Sequence, residues 1–158
     1  MLSLSDEMEK FMVSKYSNPG YITYEMKNIF KAGDQKTYAK IVEESDTAGF
    51  FAGLVHPVYA TFCIARDAEW SGRLFVIDLC DDDEEGIGTS IKVDHQAPAF
   101  PGEEVVFTAT LQSIVQQEII TKYKVEVGNR LIATGDQAQK IFKRKKLEQL
   151  FLQRKDGK

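Results

Sequence analysis

The 158-residue chain predicts an α+β domain in which an antiparallel sheet wraps around one central helix, with an extra helix at the N-terminus. Two observations carry this. Residues 56–70 are apolar on nearly every face, with Val58, Tyr59, Phe62, Cys63, Ile64, Ala65, Ala68 and Trp70 in one run. A helix apolar around most of its circumference is normally enclosed by other elements. Almost everything after that helix alternates with the period of a strand. A single helix ahead of a long meander implies segregated α and β layers.

Taken in order, Ser5-Asp6-Glu7 is a helix start, with a hydroxyl N-cap and acids in the first turn. Met8, Phe11, Met12 and Tyr16 follow at helical spacing, and Asn18-Pro19-Gly20 stops the run. Residues 1–20 therefore read as an amphipathic helix, while residues 21–30 fit helix and strand equally. Ala32-Gly33-Asp34 is a turn, residues 37–43 form the first strand, and residues 45–49 a loop. Pro57 suits the first turn of the central helix, where its missing N–H is lost at little cost. That helix is expected to end near Ser71-Gly72.

The acidic run Asp81-Asp82-Asp83-Glu84-Glu85-Gly86 lacks the alternating ligands of a calcium loop and reads as a solvated turn. Residues 89–94 alternate as a strand, and Pro98 and Pro101-Gly102 break the pattern. Residues 105–115 place Val105, Phe107, Ala109 and Leu111 on one face. Residues 118–127 alternate less regularly through Ile120, Tyr123, Val125 and Val127. Gly128-Asn129 is a hairpin turn, and residues 130–142 are the last strand, with Gly135 as a bulge or point of close approach. Leu147, Leu150 and Phe151 at helical spacing predict a short C-terminal helix.

Bulk properties narrow the partners. The net charge of −4 favours neither nucleic acid nor an anionic membrane surface. No run approaches the roughly 20 apolar residues of a membrane span. The N-terminus lacks the basic and apolar regions of a secretory signal. Cys63 and Cys80 make no metal-ligand spacing and no disulfide framework, as in a reducing compartment. A cytoplasmic location is the expectation.

Chemistry is expected first where polar residues interrupt the apolar helix, because burying them unpaired is costly. Thr61 and Glu69 are such residues, and His95 ends a strand just before Gln96-Ala97-Pro98. A carboxylate in apolar surroundings is a better base near neutral pH. Histidine relays protons there, and a threonine hydroxyl can attack or position a carbonyl. The helix N-terminus suits a developing oxyanion. Thr61 and Glu69 are eight residues apart, ~12 Å along a straight helix. Either Thr61 sits at the helix mouth or a second subunit completes the site. Alone, each residue has a plain alternative: Thr61 can bond its own backbone, Glu69 can reach solvent, and His95 can cap a strand end.

Tyr59-Ala60-Thr61, Glu69-Trp70, residues 88–102, residues 105–111 and Gly135 together give the chain its resemblance. Over residues 29–142 it resembles the hotdog-fold thioesterases, most closely the fluoroacetyl-CoA thioesterase family. The resemblance implies a hotdog domain at 29–142, with residues 1–28 as a helical extension and 143–158 as a helical tail. It places the family's catalytic Thr, Glu and His on Thr61, Glu69 and His95, in residue type and in interval. It implies hydrolysis of a short-chain acyl-CoA to the free acid and coenzyme A. No cofactor is needed, coenzyme A being part of the substrate. The same resemblance implies a homodimer or dimer of dimers, with active sites at the subunit interface.

Substrate-binding candidates are His56 at the helix mouth, Phe50 and Phe51 ahead of it, Gly88, and Lys143 and Arg144 of the basic cluster 143–146, which could hold coenzyme A phosphates. The chain departs from the fluoroacetate-specific pattern in two places. Phe50 and Phe51 fall out of register with its aromatic lid, and Gln139 or Lys140 stands where that pattern has an arginine. A general short-chain acyl-CoA thioesterase is therefore the expectation. A hotdog hydratase is the rival enzyme, but Asp94-His95-Gln96-Ala97-Pro98 does not match its D-x-N-P-x-H motif. A non-catalytic acyl-CoA-binding module is the remaining alternative.

Overall fold

The structure, a computed structural model, describes residues 26–155 and residue 157. The helix expected over residues 1–20 lies outside the described residues, and residues 26–30 have no regular secondary structure. The elements are β1 (Gln35–Ile41), a short 3-10 turn (Glu44–Asp46), β2 (Thr47–Phe50), β3 (Gly53–Tyr59), α1 (Thr61–Leu79), β4 (Glu84–Ile91), β5 (Asp94–His95), β6 (Glu104–Val115), β7 (Glu118–Val127), β8 (Arg130–Lys143) and α2 (Arg144–Lys155).

The main sheet runs β1-β6-β7-β8-β4, antiparallel throughout, with β5 also paired to β8. α1 touches every strand of that path, so the sheet does wrap one helix. Inward residues of β6 are Val105, Phe107, Ala109 and Leu111, as the alternation predicts. On β7 they are Ile119, Thr121, Tyr123 and Val125. Ile120 therefore lies on the opposite face from the one expected, because the strict two-residue period of a strand fixes parity from Tyr123 outward.

The central helix departs most from expectation. It starts at Thr61, not His56, and runs to Leu79, well past Ser71-Gly72. His56 and Pro57 belong to β3, which pairs with β2 in a two-stranded hairpin. An edge strand tolerates a proline that a central strand would not. The expected loop at 45–49 is the 3-10 turn followed by β2. At the other end, Phe75, Val76 and Leu79 are buried on the additional two turns. Each such side chain contributes roughly 1.5–3 kcal/mol on burial, which outweighs the ~1 kcal/mol that Gly72 takes from the helix. Gly72 is needed there, since a Cβ at that position would overlap Gln137 Nε2. Nor is the helix enclosed on all sides: Phe62 is 50% and Trp70 42% exposed.

Two apolar clusters flank the helix. Tyr59, Ile64, Ala68, Phe107, Val125 and Ile132 pack around its N-terminal half. Phe75, Val76, Leu79, Leu111, Ile119 and Ile141 pack around its C-terminal half. Between them lies a polar layer of Ser71, Thr121, Gln137 and Gln139, all buried. The acidic run is only half a turn, because β4 begins at Glu84, whose side chain is buried.

Candidate active site

Thr61 is the first residue of α1 and His95 ends β5. The two meet in one chain, with Thr61 Oγ1 3.0 Å from His95 Nδ1. His95 Nε2 lies 3.0 Å from the Ala97 carbonyl oxygen. A carbonyl only accepts, so Nε2 carries the proton and Nδ1 presents its lone pair to the Thr61 hydroxyl. Hydroxyl, imidazole and carbonyl oxygen therefore form one directed chain, with a main-chain carbonyl orienting the ring.

Local structure holds both partners. β5 pairs with Thr134 and Ala133 of β8, and the Gln96 amide donates to the Ile132 carbonyl at 2.8 Å. Just upstream, the Tyr123 hydroxyl donates to the Lys92 carbonyl at 2.6 Å. Gly135 is the point of close approach the sequence indicated, since a Cβ there would overlap the Lys92 carbonyl. On the helix side, the Ala60 amide donates to the Asp46 carbonyl at 2.9 Å. Ala60 is the N-cap and supplies no side-chain cap, so the first-turn N–H groups, beginning with that of Thr61, have no capping side chain.

An ionic cluster around buried Asp46 and Asp67 braces this end of the helix. Arg66 donates to Asp46 and Asp67 at 2.8 Å, Lys40 reaches Asp46 at 2.5 Å, and the Tyr59 hydroxyl donates to Asp67. Burial alone would raise the Asp46 carboxyl, but hydrogen bonds from Lys40, Arg66 and the Glu43 amide outweigh it and hold it below the ordinary carboxylate range. Burial lowers Lys40, and its hydrogen bond to Asp46 with the Asp67 and Asp46 charges more than reverses that. Burial pushes the Tyr59 hydroxyl far up, with Asp67 adding to it, so Tyr59 stays neutral. Lone sequence positions gave no sign of this cluster.

Glu69 is not brought to the pair. No hydrogen bond or ion pair joins its carboxylate to Thr61 or His95 among the described residues. Its side chain lies against Gly88 of β4, where a Cβ would stand 2.5 Å from Glu69 Oε1. Gly88, a substrate-binding candidate, thus leaves the space that the Glu69 carboxylate occupies. Glu69 also lines a cleft of about 410 Å³ with Tyr38, Arg66, Asp67, Trp70 and Arg73.

The remaining candidates divide. Phe50, Phe51 and His56 all fall in the β2–β3 hairpin. The Phe50 ring meets the Phe62 ring edge-on, with centroids 5.7 Å apart, which brings the hairpin beside Thr61. Phe51 is fully exposed and His56 is exposed. Lys143 and Arg144 both have partners in the acidic run. Lys143 pairs with Asp83 at 2.8 Å and Glu84 at 3.0 Å, and Arg144 donates to the Glu84 carbonyl at 2.9 Å. They answer the acidic run and fasten α2 to β4. Of the two residues left open on the last strand, Gln139 faces the helix, while Lys140 is on the other side, 3.9 Å from Glu118.

Sequence comparison gives the lineage. The profile of FlK, the fluoroacetyl-CoA-specific thioesterase, matches residues 42–145. No curated protein sequence matches the chain. Among solved structures, a hypothetical Thermus thermophilus protein described as a thioesterase superfamily member is 28% identical, with a TM-score of 0.79 over 82% of this chain and 96% of that one. A single-residue mutant of the fluoroacetyl-CoA-specific thioesterase FlK is 23% identical, with a TM-score of 0.74 over 81% and 99%. A 1,4-dihydroxy-2-naphthoyl-CoA thioesterase from Synechocystis is 16% identical, with a TM-score of 0.57 over 70% and 83%. With its helix-wrapping sheet and a profile match spanning most of the folded domain, the chain belongs to the fluoroacetyl-CoA-specific thioesterase family and is a hotdog-fold hydrolase of acyl-CoA thioesters.

Proposed function

We propose that the protein hydrolyses a short-chain acyl-CoA to the free acid and coenzyme A, with Thr61, His95 and Glu69 as its catalytic residues. The observation that carries this is the 3.0 Å contact between Thr61 Oγ1 and His95 Nδ1 at the start of α1. Thr61 Oγ attacks the thioester carbonyl carbon as its proton passes to Nδ1. The oxyanion forms beside the first-turn N–H groups. The C–S bond then breaks, and His95 returns the proton to the coenzyme A sulfur. Water attacks the acyl-Thr61 ester, loses its proton to a base, and the acid leaves as Thr61 regains its hydrogen. A family named for a two-carbon acyl group supports a short substrate.

Glu69 is the base of the water step. In one chain it lies about two turns from Thr61, ~12 Å along the helix, so it serves the Thr61–His95 pair of a second copy. The protein accordingly works as a homodimer. Both sides of this arrangement are accessible: β4, against which Glu69 lies, is an end strand of the main sheet, and Trp70 beside it is exposed. Free Cys63 and Cys80 fit a reducing, cytoplasmic setting.

The test is steady-state release of thiol from acetyl-, propionyl- and butyryl-CoA by wild type, Thr61→Val, Glu69→Gln and His95→Ala. Loss of general acid–base chemistry lowers kcat by about 10²–10⁴-fold. Folded variants that keep wild-type rates sink the assignment. Coenzyme A binding without thiol release by wild type points instead to a binding module.

A further inference from the structure

Three buried polar side chains cross the middle of the core where apolar ones would pack. Gln137 Nε2 donates to Thr121 Oγ1 at 2.7 Å. Gln139 Nε2 donates to Gln137 Oε1 at 3.0 Å and to the Glu69 backbone carbonyl at 3.0 Å. The chain thus runs from β7 through β8 to one turn of α1, and it ends on Glu69. Gln139 is 0% and Gln137 1% exposed. Gln139 Oε1 is buried without a hydrogen-bond partner among the described residues.

Stability gives no reason for this layer. A partly satisfied buried amide is inferior to a well-packed aliphatic side chain, and apolar clusters lie on both sides of it. What the layer supplies is a fixed height and rotation for the turn that carries Glu69. That turn has to be exact, because the Glu69 carboxylate occupies the space left by the absent side chain of Gly88. Gly88 is also the residue directly across the ladder from Gln139. Two neighbouring strands therefore grip Glu69 at one register position: Gln139 of β8 holds its main chain, and Gly88 of β4 receives its carboxylate.

We propose that Gln139 is a positioning residue for Glu69, holding the helix turn so that the carboxylate is seated over Gly88 in its working orientation. This rests on the catalytic reading of Glu69 given above. Gln139 does not touch substrate. It acts through Glu69 alone, and Gln137 and Thr121 keep its amide from rotating.

The experiment is a double-mutant cycle read by steady-state kinetics on the best substrate of the acyl-CoA series. Gln139→Leu keeps the bulk and removes both donors. It is expected to lower kcat about tenfold or more while KM stays within about twofold, and thermal melting reports that the fold is kept. In a Glu69→Gln background the same change is expected to cause no further loss. If Glu69→Gln loses activity while Gln139→Leu keeps wild-type kcat, the positioning role is overturned and the catalytic reading stands. A loss from Gln139→Leu that is just as large without Glu69 overturns it too. If Glu69→Gln keeps wild-type activity, the catalytic reading falls and the proposal with it. Should Gln139→Leu not fold, Gln139→Met, which keeps the length of the side chain, is judged by the same outcomes.

Discussion

His95 has each ring nitrogen committed to one partner, the Thr61 hydroxyl at Nδ1 and the Ala97 carbonyl at Nε2. The assignment fixes the tautomer, because exchanging the proton would set a lone pair against a carbonyl oxygen. A backbone carbonyl fills the place that a carboxylate holds in Ser-His-Asp sites. The chain has only two histidines, which makes this directly measurable. ¹⁵N-detected spectra of the neutral protein, with His56→Ala used for assignment, are expected to show His95 protonated at Nε2. An Nδ1-protonated ring rules out proton transfer from Thr61 to that nitrogen as drawn. The sequence named Thr61 and His95 individually, and their types and interval matched a known pattern. It could not show Ala97, since a main-chain carbonyl has no residue type to read.

At the scale of elements, α1 is held where it begins and where it carries Glu69. The first hold is the Asp46 cluster, which ties the helix start to β1 and the 3-10 turn through Lys40, Arg66 and the Ala60 amide. Its pH dependence follows from the two shifted groups. The Asp46 carboxyl is depressed in the fold. Its contribution is complete above the unfolded carboxylate pKa and is lost as pH falls through the lower folded value. Lys40 is raised in the fold. Its contribution is complete below the unfolded lysine pKa and is lost only as pH rises through the higher folded value. Asp46→Asn is therefore expected to destabilise by about 1.5–3 kcal/mol at pH 7, the range for hydrogen bonds to charged groups. The deficit against wild type should shrink by pH 3. Urea melts at the two pH values check this, and an equal deficit at both excludes the linkage.

For the whole molecule, the main sheet leaves β4 at one end, next to exposed Trp70 and to the strand residue that seats Glu69. A single chain joins Thr61 to His95 and leaves Glu69 bonded to neither, so the proposed water step draws Glu69 from a second chain. Light scattering on the purified protein is expected to give a mass of twice the 17.9 kDa of one chain or a multiple of that. A monomer with full thioesterase activity removes Glu69 from the water step. Among the described residues no helix is long and apolar enough to cross a membrane.

The sequence by itself determined the architecture and the thioesterase class, and it singled out Thr61 and His95, which the fold brings together. Period-two alternation placed β6, β7 and β8 within a residue or so, because a half-buried strand writes its inward face directly into residue type. It did less well for α1. Val58, Tyr59 and Pro57 are equally compatible with a hairpin strand and a helix start, and only pairing with β2 decided between them. Gly72 looked like a helix end because its reason for being there, Gln137, is 65 residues further along the chain. That Lys143 pairs with Asp83 and Glu84 was not legible, because those acids lie about as far away in sequence. At the site, the eight-residue spacing already excluded direct contact between Thr61 and Glu69 on one helix. Tertiary structure decided the rest: His95 closes on Thr61 through the pairing of β5 with β8, and Glu69 is seated over Gly88 by a strand glutamine. Those relations depend on which strands lie side by side, and hydrogen-bond ladders between distant segments leave no local pattern to read.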